Sequence, residues 1–347
     1  MTDYPKSPIT DKSAWTVYDL QENNSWQKSL SARAIEDLDR IVGDPTINFD
    51  DWSALRDYEW DSDAALPDLC KKVLAEVEDG LGFVILSGLP VDRYSVGECE
   101  RALTALGSCM GDATSQNANG DIVGHVTDLN SDFAGDPDAR GYTSSQELMP
   151  HADACDVLAL FCVRQAKQGG ESMLVSSMSI YNEILSQRPD LLPIAFRGFH
   201  HDLRQESVVE NEGRYSREKW PVFVYEQGWL SAGYNAKTIR NAPLKGAPAL
   251  GEDEIAFLDL FEETSKRDDL ELETTLRPGD ILFANNRTVL HSRHAYTDYD
   301  DADRKRLMLR LWLNVDEPRP LPESVLGIAR GGVPATKTSS TKIHAAE

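Results

Sequence analysis

Arg306-Leu-Met-Leu-Arg-Leu-Trp-Leu313 alternates without a break: Arg306, Met308, Arg310 and Trp312 share one parity and four leucines the other. Successive side chains of a β-strand point to opposite faces, so the run reads as a strand with a leucine face turned to a core. Its second face carries two arginines and a tryptophan. If that face lines the inside of a barrel, the arginines point inward, and a guanidinium taken out of water needs an anion to meet it. A small dicarboxylate is a natural partner. The competing assignment is a half-exposed strand with solvent-facing arginines, and the rest of the chain has to decide between them.

Short apolar runs of β type recur at 82–86 (Gly-Phe-Val-Ile-Leu), 156–164, 172–176, 281–284 and 306–315. Helical spacing falls between them. It appears at 31–42, where Ala34, Ile35, Leu38 and Ile41 repeat on one side, and at 67–78, which opens on a proline and is followed by Gly80. Further helices are expected at 95–107, 177–186 and 252–265. No repeat, linker or composition shift divides the chain, so residues 1–347 read as one catalytic domain. Within it, 1–80 form a helical cover, 82–316 a β core with helical insertions, and 317–347 a C-terminal tail rich in Pro, Gly, Ser, Thr and Lys. Residues 1–12 read as a tail or loop as well, and 108–147, rich in Gly, Asn, Asp and Ser, as a candidate lid.

Composition narrows the partners. With 41% hydrophobic and 27% charged residues the chain is globular in type, neither fibrous nor disordered. Acidic residues outnumber basic ones 58 to 35, a net charge of -23 that repels nucleic acid and anionic membranes. The expected partner is a small-molecule substrate, with no nucleic acid and no membrane, and homo-oligomerisation is left open. The five cysteines are odd in number and lack CxxC pairs, which argues against a disulfide framework or zinc ribbon and for reduced thiols in the cytoplasm.

Two segments carry metal-binding potential. In Met149-Pro-His-Ala-Asp153, His151 and Asp153 are two apart, and in a strand they share a face. In Arg277-Pro-Gly-Asp-Ile-Leu-Phe-Ala-Asn-Asn-Arg-Thr-Val-Leu-His291, a turn and an apolar strand lead to a distal histidine. Two histidines and one carboxylate are the donor set of an open non-haem iron(II) centre, which leaves positions for a bidentate co-substrate and dioxygen. A closed structural site would use four ligands. His294 competes with His291 for the distal place, and spacing alone does not choose between them.

Taken together, His151-Ala-Asp153, Gly169-Gly-Glu-Ser172, Asn286-Arg-Thr-Val-Leu-His291 and Arg306-Leu-Met-Leu-Arg310 resemble the HxD, GG[DE][TS], NRxxxH and RxxxR motifs of the taurine dioxygenase (TauD/TfdA-like) family. The order is the family's, and the motifs extend over 82–315. The resemblance implies a mainly β fold with flanking helices and a double-stranded β-helix (jelly-roll, cupin-like) core. It implies Fe(II) held by His151, Asp153 and His291, with 2-oxoglutarate as co-substrate and O2 as oxidant. Ser172 and Arg306 would bind the distal carboxylate of 2-oxoglutarate, and Arg310 either the substrate's anionic group or the co-substrate. The NRxxxH match favours His291 over His294. Serine in place of the commoner threonine at Ser172 retains the hydroxyl, and the turn Asp298–Asp303 absorbs a slightly longer interval before RxxxR. Asp153 argues against halogenation, whose agents lack this carboxylate.

The implied activity is oxidation of an unactivated C–H bond of a small acid or amino-acid-like substrate, by hydroxylation, desaturation or cyclisation. Succinate and carbon dioxide are released. Glu147 lies four residues before His151, where it would pair a substrate ammonium while Arg310 pairs the carboxylate. Two other readings are weighed against this one: a catalytically silent β-helix that binds a small acid, and a zinc-dependent hydrolase using the same triad.

Overall fold

The computed structural model describes residues 4–203 and 214–334. The leucine face of Leu307–Val315 organises the larger of two main sheets. Leu307, Leu309, Leu311 and Leu313 are all buried and pack with Leu38, Val73 and Leu103 from the helices Ala32–Gly43, Leu66–Asp79 and Val96–Ser108. Each buried leucine contributes roughly 1.5–3 kcal/mol of apolar burial, so the alternation read in the sequence is a large term in placing this strand. Its neighbours are Val157–Arg164 on one side and Gly111–Ala113 and Val123–Val126 on the other, all antiparallel. The sheet continues from Val157–Arg164 through Ile281–Asn285 and Phe83–Ser87 to Gln27–Ser29, whose pairing is parallel.

A smaller antiparallel sheet runs in the order Glu271–Thr274, Ser172–Ser176, Val289–Arg293, Leu148–His151. Phe83, Leu282 and Met308 of the larger sheet meet Leu174 and Val289 of the smaller one in a shared core. Behind the smaller sheet, helices Ser177–Gln187, Leu192–Arg197 and Glu252–Ser265 build a second core around Tyr181, Phe196, Phe257 and Phe261. The result is the expected jelly-roll with helices on both outer faces. Local signals set the boundaries: Ser95 and Glu98 form a reciprocal capping box at the start of Val96–Ser108, and Ser176 caps Ser177–Gln187.

All five expected β runs and all five expected helices are present within a few residues of their predicted bounds. The C-terminal tail is corrected. Residues 317–347 do not form a loose tail as far as they are described, because Glu323–Arg330 is a helix and Arg319 and Val333 are buried. The remainder, 335–347, lies outside the described residues. At the other end, Ile9 exchanges two hydrogen bonds with Asn182, and Tyr181 donates to Pro5 O. In both places polar, proline-rich chain is held by partners remote in sequence. The hairpin Phe223–Glu226/Trp229–Ala232 was also missed. It turns on Gln227 and Gly228, both with positive φ, and glutamine at the first position disguises a turn usually written with asparagine. All five cysteines are free.

Candidate metal and co-substrate site

The smaller sheet brings the two histidines together. His291 sits directly opposite His151 in the antiparallel register, and their ring centroids are 4.3 Å apart. Asp153 follows just beyond the strand, where its N–H donates to Asn286 Oδ1 at 3.0 Å. Asn286 Nδ2 in turn donates to Cys155 O, and the buried Arg287 donates to Cys155 O and Ala329 O. The Asn-Arg pair of the NRxxxH segment thus fixes the loop that carries Asp153.

One donor atom from each of His151, Asp153 and His291 lies within 4.8 Å of the others. His151 Nδ1 is 2.8 Å from Met149 O, a contact that places the proton on Nδ1 and leaves Nε2 as a lone pair toward the site. Burial, together with His151, pushes His291 down to about 3, so its imidazole is neutral at physiological pH. Burial alone would raise Asp153, but Arg310, His291, His151 and the Trp312 N–H outweigh it and hold the carboxyl below its usual range. Trp312 Nε1 donates to Asp153 Oδ2 at 2.9 Å, and Arg310 Nη1 is 3.5 Å from the same oxygen. Two neutral imidazoles and one carboxylate converging on a point fit a divalent cation with open positions. His294 is excluded geometrically: it is partly exposed, pairs with Glu273 and lies outside the group of converging donors.

The same cavity, of about 150 Å³, also contains Ser172, Arg293, Arg306 and Arg310. Arg306 is 5% exposed, and its Nη1 has no hydrogen-bond partner among the described residues. Arg293, which pairs with Ser172 across the sheet, donates to Ser144 O and Gln146 O but leaves Nε and Nη1 unpartnered among the described residues. Burial lowers both guanidinium groups, Arg293 to about 10 with Arg306 contributing. Two neighbouring buried cations with unmet N–H groups call for an anion. The glycine pair beside them has a steric reason. Gly169 and Gly170 adopt φ +77° and +81°, and a Cβ would come 2.4 Å from Ala295 O at the first and 3.2 Å from Arg306 Nε at the second. Arg293 was missed in the sequence, although its parity with His291 two residues earlier carried the signal.

Arg310 donates through Nε to Gln116 Oε1 at 2.6 Å and lies between the rings of Tyr142 and Trp312. Glu147 does not join the group. It is half exposed, lies 3.6 Å from Lys266 and is absent from the cavity lining, which corrects the expectation that it meets a substrate ammonium. From the lid candidate, Gln116, Phe133, Arg140 and Tyr142 do line the cavity. Lys237 and Lys245 clip its tip through Asp136 O and Asp138 Oδ1.

A jelly-roll with an open His-Asp-His site and a buried arginine beside it defines a non-haem iron(II) oxygenase. Residues 46–312 match the family described as taurine catabolism dioxygenase TauD, TfdA family, and the chain belongs to it. It is an Fe(II)- and 2-oxoglutarate-dependent dioxygenase, with O2 as the oxidant. FR-33289 synthase of Streptomyces rubellomurinus is 31% identical over 94% of this chain and 96% of its own length. Taurine hydroxylase-like protein SAT17 of Stachybotrys chartarum is 25% identical over 89% and 80%. In fold, the chain is similar to asparagine oxygenase in complex with Fe(II), hydroxyasparagine and succinate, with TM-score 0.64 and 16% identity over 83% of this chain and 93% of that one. It is also similar to the non-haem iron oxygenase OrfP with Fe and α-ketoglutaric acid, with TM-score 0.61 and 18% identity over 84% and 94%. No helix among the described residues is long and apolar enough to cross a membrane.

Proposed function

We propose that His151, Asp153 and His291 hold the iron, that Ser172 and Arg306 receive the distal carboxylate of 2-oxoglutarate with Arg293 beside them, and that the enzyme oxidises a C–H bond of a small acid or amino-acid-like substrate. The observation that carries this reading is the buried Arg306 guanidinium, whose Nη1 has no hydrogen-bond partner among the described residues, in the same cavity as three converging metal donors. With iron, 2-oxoglutarate and dioxygen bound, the centre supplies the oxidising equivalents for C–H cleavage and releases succinate and carbon dioxide.

The chain's own part is positional. The Met149 carbonyl orients His151, the Trp312 N–H holds Asp153 Oδ2, and the rings of Tyr142 and Trp312 confine Arg310. Arg140, Lys237, Arg293, Arg306 and Arg310 line the cavity against the single carboxylate of Asp153, which favours anionic partners beyond the co-substrate. The asparagine and arginine derivatives bound by asparagine oxygenase and OrfP support an amino-acid-like substrate. Hydroxylation, desaturation and cyclisation all draw on the same protein groups, and the substrate decides among them. A silent binding protein has no need of a complete triad, and a zinc hydrolase has no use for the buried Arg293–Arg306 pair. The five free cysteines support a cytoplasmic location.

The test is succinate release by iron(II)-reconstituted protein with 2-oxoglutarate and oxygen across a panel of amino acids and small acids. Substrate-stimulated release that disappears in Asp153→Ala is expected. Failure of the wild-type protein to bind iron or 2-oxoglutarate would overturn the assignment.

A further inference from the structure

A second cavity, of about 230 Å³, lies against the helix Val96–Ser108 and meets the first at Gln116, Tyr142 and Arg310. Its character is opposite. The carboxylates of Asp50, Glu100 and Asp121 border it, together with the rings of Phe49 and Tyr142. Glu100 is 1% exposed. Its Oε1 lies 2.5 Å from His125 Nε2, which donates to it, while Oε2 has no partner among the described residues. A buried carboxylate oxygen with an unmet bond is costly, and Leu103 and Leu106 show that the same helix can fill buried positions with apolar side chains. Asp50 is exposed and gives this cavity a polar edge toward water.

We propose that this cavity is a binding site for an organic cation, an ammonium or guanidinium group on a short apolar stem. Glu100 receives its N–H groups, and Phe49 and Tyr142, whose rings also lie under Arg101 and Arg310, line the cavity beside the stem. The wall toward the metal cavity is a held side chain. Gln116 donates to Arg310 O at 2.7 Å and accepts from Arg310 Nε at 2.6 Å. A Cβ at Gly124 would come 2.8 Å from Gln116 Oε1, so glycine there gives this side chain its room. An occupant therefore abuts the residue that orients Arg310. The cation is either a separate small molecule or the far end of a zwitterionic substrate whose anionic end lies among the arginines.

The site is tested without iron or 2-oxoglutarate, so its failure is separate from any failure of the oxygenase reading. Calorimetric titration of the full chain with n-butylammonium and n-butylguanidinium is expected to show saturable binding, with none for n-butanol. Glu100→Gln is expected to weaken binding roughly tenfold or more, the loss of a charged hydrogen-bond acceptor. Ile122→Trp, which fills the cavity from a partly buried position, is expected to abolish it and decides the matter if the Glu100 variant does not fold. Equal binding to wild type and the folded variants, or no binding at millimolar concentrations, would overturn the proposal. A second arm separates the sources. If ε-aminocaproate displaces butylammonium and stimulates succinate release by the loaded enzyme, the cation is the substrate's own end; if butylammonium binds without being displaced, it is a separate effector. Either result upholds the site.

Discussion

Trp312 shows how one side chain's parity reaches the metal centre. It shares a strand face with Arg310, packs with Cys155, Leu158 and Val333, and donates its indole N–H to Asp153 Oδ2. The hydrogen bond orients a ligand carboxylate, and partners of this kind typically change metal affinity by about 10–100-fold. Trp312→Phe keeps most of the ring and deletes the donor. Iron(II) affinity, measured by anaerobic titration, is expected to fall by roughly tenfold or more with far-UV circular dichroism unchanged. Unchanged affinity would mean that packing alone holds Asp153. The same scale explains why Glu147 misled. His151 lies on a strand, where parity dictates direction, whereas Glu147 precedes that strand in a loop where nearness in sequence says nothing of orientation.

At the scale of elements, the helix Glu323–Arg330 is docked by polar contacts more than by apolar ones. Arg330 Nε lies 2.8 Å from Asp156 Oδ2, Arg330 Nη2 donates to Val315 O, and Asn314 Nδ2 donates to Arg330 O. Asp156 is 2% exposed in its side chain and Arg330 29%, so removing the cation leaves a buried carboxylate with Arg287 as its ion-pair partner among the described residues. Arg330→Met is expected to destabilise this docking by about 2 kcal/mol, less than for a fully buried pair. Hydrogen exchange should rise at residues 323–330 while the strand Leu307–Val315 stays protected; uniform exchange across both would show that the ion pair is not what holds the helix. This element was illegible in the sequence for the same reason. Strands with an apolar face, such as Leu307–Val315, announce themselves by period, and so do the HxD and NRxxxH segments built on strands. A segment held by ion pairs and backbone carbonyls from residues far along the chain leaves no periodic trace. Arg293 left only its parity with His291, because its importance rests on its burial beside Arg306.

For the whole molecule, the net charge of -23 and the arginine-lined cavity pull in opposite directions, and an acid remote from that cavity makes stability depend on pH. Glu78 ends the helix Leu66–Asp79 against the core and accepts a hydrogen bond from Asn285 Nδ2 at 2.9 Å. Burial, reinforced by Asp156, raises it from 4.5 to about 8, against the opposing pull of Arg319 and Arg287. Between those two values the folded chain holds a proton that the unfolded chain has released. The Glu78 contribution to stability is therefore fully present below pH 4.5 and is lost as pH rises from there through about 8. The effect is on the order of a few kcal/mol. Raising pH also ionises other groups and adds self-repulsion, so the wild-type curve alone does not isolate it. Glu78→Gln keeps the shape and removes the titration. Its thermal stability is expected to decline less than the wild type's between pH 5 and pH 9, with the two curves closest at the acid end. Parallel curves would show that Glu78 ionises in the folded protein as it does in water. Convergence at the alkaline end instead would reverse the sign of the coupling and place the carboxylate, not the acid, in the native network.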